Sequence, residues 1–275
     1  MTHKNIVFSN TKMLVQYASD LHLEFQPDKL TFEDIAVPVK NSNECMTILI
    51  LAGDICTTQC LDVLKRFLIY CKQNWREVIY IPGNHEFYNT SIAKAIQILR
   101  EICLELEVNF STELKFTFPI YDKTCKTNVH IIATTLWSYV DTNHESAVVQ
   151  SINDYKLIEG FDVKTSNAMH FKARQFLSSS IQEFKDEDPN CKIIVVTHHA
   201  PLLKGTSSSR YENATTNVAF CSDCSDLMLN VDVWIFGHTH YNMNPFKHNS
   251  TMITSNQRGY NGSLRYYSAT KYLSW

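Results

Sequence analysis

Apolar positions along the chain follow two recurring patterns. Short unbroken apolar runs, such as Thr-Ile-Leu-Ile-Leu-Ala over residues 47–52, predict strands buried on both faces. Similar runs cover residues 14–19, 78–81, 193–196 and 233–236. Between them the spacing turns helical. Leu61, Leu64, Leu68 and Cys71 share one face, as do Ile92, Ile96, Leu99, Cys103 and Leu106. A third helix is predicted over residues 167–184, with Ala173, Leu177, Ile181 and Phe184 inward. Residues 115–121 and 129–136 alternate like half-buried strands, and the chain from Asn244 on is polar, strand-like and rich in Tyr and Ser.

Strand–helix alternation implies a largely parallel sheet with helices outside it. The strand-rich middle and end imply a second sheet packed on the first. No linker, low-complexity segment or short repeat interrupts the chain, so residues 1–275 read as a single domain. Residues 24–44 and 203–217 read as long loops, a length that tends to be functional or mobile.

The chemistry gathers where the strands end. The five buried runs lead into Asp20 and His22, into Gly53-Asp54, into Gly83-Asn84-His85-Glu86, into His198-His199, and into Gly237-His238-Thr239-His240. In open α/β sheets ligands bind beyond the carboxyl ends of the strands, so these endings are expected to converge. Imidazole nitrogen and carboxylate oxygen suit Mn, Fe, Zn, Ni or Co as divalent or trivalent ions, and no thiolate joins the set. The donors outnumber what one tetrahedral ion needs. Seven ligands with one bridging carboxylate would serve two ions about 3.5–4 Å apart.

Composition narrows the setting. The chain is 44% hydrophobic with a net charge of -3, which argues against a broad nucleic-acid or membrane surface. Nine cysteines, an odd number lying mostly in apolar runs, read as free buried thiols of a reducing compartment. Cys221 and Cys224 form a CxxC with no second pair to complete a zinc site. The first ten residues lack the apolar core of a signal peptide, and no apolar run is long enough to span a membrane. The expectation is a soluble, cytoplasmic protein, in which the sequons at Asn89, Asn109, Asn213, Asn249 and Asn261 are chance.

The five endings, in this order and spacing, resemble the motifs of the calcineurin-like metallophosphoesterase superfamily. The resemblance implies a four-layer α/β/β/α sandwich of two mixed β-sheets flanked by helices. It implies that Asp20, His22 and His240 hold one ion, that Asn84, His198 and His238 hold the other, and that Asp54 bridges them. Of the adjacent pair His198 and His199, the His-His-Ala-Pro segment favours the first as ligand. His85 would protonate the leaving group or stabilise the transition state, with Glu86 orienting its ring. Thr57 stands where purple acid phosphatases carry a tyrosine. Ile55-Cys56-Thr57-Thr58 stands where protein Ser/Thr phosphatases continue Val-Asp-Arg-Gly, so the arginine of that group is missing. The chain is more similar to small microbial-type phosphohydrolases, with its Arg258-Gly259-Tyr260 near the end.

Loop residues Arg210, Tyr211, Arg258 and Tyr260 are candidates for substrate binding, through phosphate grip or ring stacking. The resulting expectation is a dinuclear metal-dependent phosphoesterase acting on mono- or diesters through a metal-bridged hydroxide. Its substrate would be a small molecule or nucleotide sooner than a protein. The alternatives are a nuclease of the same chemistry, which the lack of a basic surplus disfavours, and a non-catalytic protein-binding scaffold, which the intact ligand set disfavours. The missing arginine tilts the expectation toward diesters.

Overall fold

The computed structural model describes residues 2–5, 12–25, 31–39, 45–121, 126–260 and 264–275. The strands are β1 Thr2–Asn5, β2 Lys12–Ala18, β3 Cys45–Ala52, β4 Glu77–Ile81, β5 Thr90–Ser91, β6 Asn109–Phe110 and β7 Glu113–Tyr121, followed by β8 Lys126–Thr134, β9 Ile158–Glu159, β10 Lys192–Thr197, β11 Val233–Phe236, β12 Phe246–His248, β13 Thr251–Ser255 and β14 Tyr272–Ser274. The helices are α1 Phe32–Ile35, α2 Leu61–Asn74, α3 Ile92–Glu105, α4 Glu145–Ser151, α5 Asp154–Leu157 and α6 Val163–Glu187.

Two large mixed sheets form. One has the order β14-β2-β3-β4-β6, the other β1-β7-β8-β10-β11-β13-β12. Their inner faces meet through Val15, Ile48, Ile50 and Ile79 on one side and Phe116, Ile131, Ile194 and Ile235 on the other. Each outer face is covered by helices. Val63, Leu64, Phe67 and Leu68 of α2 and Leu99 of α3 pack on Leu49, Leu51 and Tyr80. Phe176, Leu177 and Phe184 of α6 pack on Ile132, Val195 and Trp234. The unbroken apolar runs of β3, β10 and β11 follow from this, because a strand between two layers buries both faces. The expected four-layer α/β/β/α sandwich is what forms.

The helix predicted over 167–184 begins earlier because Asp162 caps it, accepting a hydrogen bond from Thr165 N at 2.7 Å. The strand predicted over 129–136 stops at Thr134, since Leu136 and Trp137 take positive φ and turn the chain away. Of the segment expected as a loop over 24–44, residues 26–30 and 40–44 lie outside the described residues, and α1 occupies part of the rest. Cys221 and Cys224 are buried in the cluster beneath α6, as packing thiols.

β2, β3, β4 and β6 run parallel in one sheet, and β8, β10, β11 and β13 in the other. Their carboxyl ends are in register: Ala18 pairs with Leu51, Ala52 with Ile81, and Val196 with Ile235. The segment after β13 laces the sheets together. Ser19 bridges Gln257, Ser19 N donates to Asn256 O, and Gly259 N donates to Asp20 O at 2.8 Å. That crossing carries Tyr260 over the strand ends.

Phe67, with no exposed surface, sits at the centre of the α2 interface. Phe67→Ala is expected to lower stability by about 3–5 kcal/mol, read as a fall in the urea midpoint at unchanged slope. A loss below about 1 kcal/mol would show that this interface is not a close-packed layer.

Candidate metal centre

Five of the seven expected ligands hold a backbone conformation that L-residues avoid. φ is +53° at Asp20, +47° at His22, +53° at Asp54, +69° at His238 and +46° at His240. Such residues cost on the order of 1 kcal/mol or more each and cluster where the surrounding structure fixes a functional geometry. Here each lies just past a strand end, where a sharp turn aims the side chain back across the sheet edge.

Glycines make the close approach possible. A Cβ at Gly53 would meet the His198 ring and, 2.7 Å away, Gly83 N. One at Gly83 would meet Asp54 Oδ1 and lie 2.6 Å from His198 Nε2, and one at Gly237 would lie 2.8 Å from Asp20 Oδ2.

The side chains gather in three groups whose ligand atoms lie within 4.8 Å of one another among the described residues: Asp20, His22 and His240; Asp54, His198 and His238; and His22, Glu24 and His85. In the first group His22 Nε2 and His240 Nε2 are 2.9 Å apart, and His240 Nε2 is 3.4 Å from Asp20 Oδ1. Asp20 is anchored by Ser19 Oγ and by His238 N, at 2.9 and 3.1 Å. In the second group His198 Nε2 lies 3.0 Å from Asn84 Oδ1 and 3.4 Å from Asp54 Oδ1. Asp54 Oδ2 is 3.9 Å from His22 Nε2, so this carboxylate stands between the groups.

The donor chemistry fits a cation. His198 Nδ1 donates to the carbonyl of Ala52 at 2.9 Å, which leaves the Nε2 lone pair for a ligand. That lone pair faces a carboxylate oxygen and an amide oxygen, three acceptors directed at one another. Burial pushes the His198 imidazole down, but Asp54 and Asp20 outweigh it and raise the pKa to about 10, so that without a metal a proton on Nε2 stands where a bound cation would replace it. Asp54 is held well below the carboxylate range because His198, His85 and His22 overcome its burial. His199 points elsewhere. Its ring lies 5.3 Å from that of Trp137 and 4.0 Å from that of His238, and burial holds it neutral.

His85 falls in neither of the first two groups but in the third, with His22 and Glu24. Its backbone N donates to Asp54 Oδ1 at 2.9 Å, and its Nε2 is 3.9 Å from Asp54 Oδ2. The expected hold of Glu86 on this ring is not what the geometry gives. Glu86 is fully buried and accepts from Ile55 N and Tyr80 OH at 2.8 Å, Asp54 N at 3.0 Å and Gly83 N at 2.8 Å. It ties two ligand loops together. The carboxylate at His85 is Glu24, whose Oε1 lies 3.5 Å from His85 Nδ1 and 3.4 Å from His22 Nδ1. Burial lowers the His85 pKa, but the charges of Asp54 and Glu24 outweigh it and raise the pKa to about 9.

Two residues here escaped the sequence reading. Glu24 had a signal in its place two residues beyond His22. Asp154 had none, because an acid in the first turn of a short helix reads as a cap. Its Oδ1 accepts from Asn84 Nδ2 and from Tyr88 OH, both at 2.7 Å, and so turns the Asn84 oxygen toward His198.

The four substrate candidates separate. Tyr260 lines the cavity over the cluster, with its ring 4.5 Å from those of His22 and His240 and its OH 3.5 Å from His85 Nε2. Arg258 is buried, with its guanidinium 3.4 Å from Leu21 O. Arg210 packs on the ring of Tyr211, and neither lines the cavities beside the cluster.

The sequence model of calcineurin-like phosphoesterases matches residues 15–242. An uncharacterized protein of Acanthamoeba polyphaga mimivirus is 28% identical over 278 residues, 94% of this chain and 96% of its own length. A phosphopantetheinyl hydrolase from Mycobacterium tuberculosis has a similar structure, with a TM-score of 0.66 at 16% identity over 91% of each chain. A putative 5'-nucleotidase from Staphylococcus aureus aligns with a TM-score of 0.49 at 12% identity, over 89% of this chain and 48% of its own. At 16% identity the mycobacterial structure speaks for the fold alone.

Asp154→Ala frees the Asn84 amide to rotate. We expect Mn²⁺ affinity to fall about 10–100-fold, as for other residues that orient a ligand, measured by calorimetric titration of the metal-free protein. Unchanged affinity would remove Asn84 from the ligand set.

Proposed function

Because the chain belongs to the calcineurin-like phosphoesterase family, we propose that residues 1–275 act as one dinuclear metal-dependent phosphoesterase unit. The observation that carries this reading is the convergence of His198 Nε2, Asn84 Oδ1 and Asp54 Oδ1, three acceptors that a cation would reconcile. Asp20, His22 and His240 would hold one ion. Asn84, His198 and His238 would hold the other, with Asp54 shared. Two such ions, drawn from Mn, Fe, Zn, Ni or Co, supply Lewis acidity toward phosphoryl oxygens and activate water.

The chain's own groups do the rest. The main chain of His85 is fixed by Asp54, so the ring keeps its place on the cavity wall. With Nδ1–H turned toward Glu24, a further proton on Nε2 makes an imidazolium, placed to protonate the departing alcohol oxygen. Glu24 turns His22 Nδ1 the same way, which leaves His22 Nε2 for an ion. Tyr260 closes over these rings and limits water at the reacting phosphate.

Among the described residues, no Lys or Arg lines the cavity over the cluster or the one beside it. A dianionic monoester gains more from such a cation than a monoanionic diester does. Diesters are therefore the favoured substrate class. No helix among the described residues is long and apolar enough to cross a membrane.

With Mn²⁺ added, the wild-type protein is expected to hydrolyse bis-p-nitrophenyl phosphate faster than p-nitrophenyl phosphate. His85→Ala should lower kcat about 10²–10⁴-fold with metal content close to wild type by elemental analysis. Wild-type turnover in that variant would take the proton-donor role from His85.

A further inference from the structure

A second cavity of about 550 Å³ opens beside the metal-facing one, and His85, Tyr88, Asn153 and Tyr260 line both. Its size is that of a small-molecule pocket. His85 therefore stands in the wall between the place for the phosphate and a separate space. A group that protonates a leaving oxygen has to face phosphate on one side and the departing alcohol on the other. The second cavity lies on that other side.

The lining has a definite chemical character. Phe25 and Tyr260 are large, substantially exposed rings, 54% and 44% accessible. Their centroids are 5.2 Å apart and their planes perpendicular, which makes a corner in which a flat ring can stack on one and meet the edge of the other. Leu157 adds apolar wall, and the carboxamides of Gln59 and Asn89 can pair with ring nitrogens or hydroxyls. Glu24 also lines the cavity. Its side chain is 8% exposed, and its Oε2 has no hydrogen-bond partner among the described residues, while Oε1 pairs with His22 Nδ1 at 3.4 Å and lies 3.5 Å from His85 Nδ1. A buried carboxylate oxygen left unpaired is costly unless a donor reaches it.

We propose that this cavity is the leaving-group subsite, and that it takes the uncharged, flat, hydroxyl-bearing half of a phosphate ester, a nucleoside-like group. The ring sits in the corner of Phe25 and Tyr260, and a hydroxyl donates to Glu24 Oε2. With the Glu24 carboxylate in the lining and no Lys or Arg among its described residues, an ester with a second phosphate on this half is disfavoured. The proposal rests on the phosphoesterase reading and adds direction to it. In the cleavage, the bond between phosphorus and the nucleoside oxygen breaks, water supplies hydroxide to phosphorus, the His85 proton goes to the nucleoside oxygen, and the remaining water proton restores the one His85 gave.

The products reveal the direction. Adenosine 5'-methylphosphate, incubated with the Mn²⁺-loaded protein, is expected to give adenosine and methyl phosphate. AMP and methanol would put the ring on the opposite side and overturn the proposal. Phe25→Ala should lower kcat/KM for this ester about tenfold, the loss of one ring stack, and leave the methyl ester of ribose 5-phosphate unchanged. Equal loss on both would overturn it. If the protein cleaves monoesters only, AMP against ribose 5-phosphate replaces the pair, with the same expectations. If it cleaves no ester, the function fails separately, and saturation-transfer NMR with free adenosine decides the subsite. Transfer to the base protons in wild type, lost in Phe25→Ala, upholds it, and no transfer overturns it.

Discussion

The rest of this structure depends on electrostatic crowding. Carboxylate, amide and imidazole groups from five strand ends are held within a few ångströms of one another, mostly buried beneath one cavity. In water such groups would separate, and in a dry interior the repulsion between the Asp20 and Asp54 carboxylates grows as the dielectric falls. The fold opposes that tendency with covalent direction. Parallel strands in register fix where each chain end emerges, and the turn after each strand fixes where its side chain aims. A positive charge placed among the acceptors converts the repulsion into binding.

The cost appears in the backbone. Positive φ at Asp20, His22, Asp54, His238 and His240 is strain that an ordinary turn would avoid by using glycine. Glycine is instead reserved for places where a neighbour comes too near, as at Gly83, whose missing side chain leaves room for Asp54 and the His198 ring. Glu86 supports the arrangement from below. Its burial and the nearby Asp54 raise its pKa to about 7, while four donors satisfy its oxygens and lock the loop after β3 to the loop after β4. A carboxylate adjacent to His85 in sequence thus serves the scaffold, and one distant in sequence, Glu24, serves His85.

Legibility from sequence followed the range of the interactions. The buried strands, α2, α3 and α6 announce themselves through apolar spacing, which reflects local geometry and burial together. The metal groups were legible because each donor lies immediately past such a strand, so the sheet topology alone predicts the convergence. The contacts that finish the site were not. Asp154 reaches Asn84 across 70 positions, and nothing in its own neighbourhood distinguishes it from a helix cap. The arginines in the loops looked able to grip phosphate, but Arg258 is drawn inward by Leu21 O and Arg210 settles on Tyr211. Such outcomes depend on how loops pack, and one-dimensional patterns do not carry that information.

The central claim is that two ions sit close together and share Asp54. Electron paramagnetic resonance of the protein loaded with excess Mn²⁺ and then freed of unbound metal tests it directly. The account predicts a spin-coupled signal from paired manganese, replaced by an isolated six-line spectrum in Asp54→Asn. An uncoupled six-line spectrum from the fully loaded wild-type protein, at one ion per chain, would contradict it.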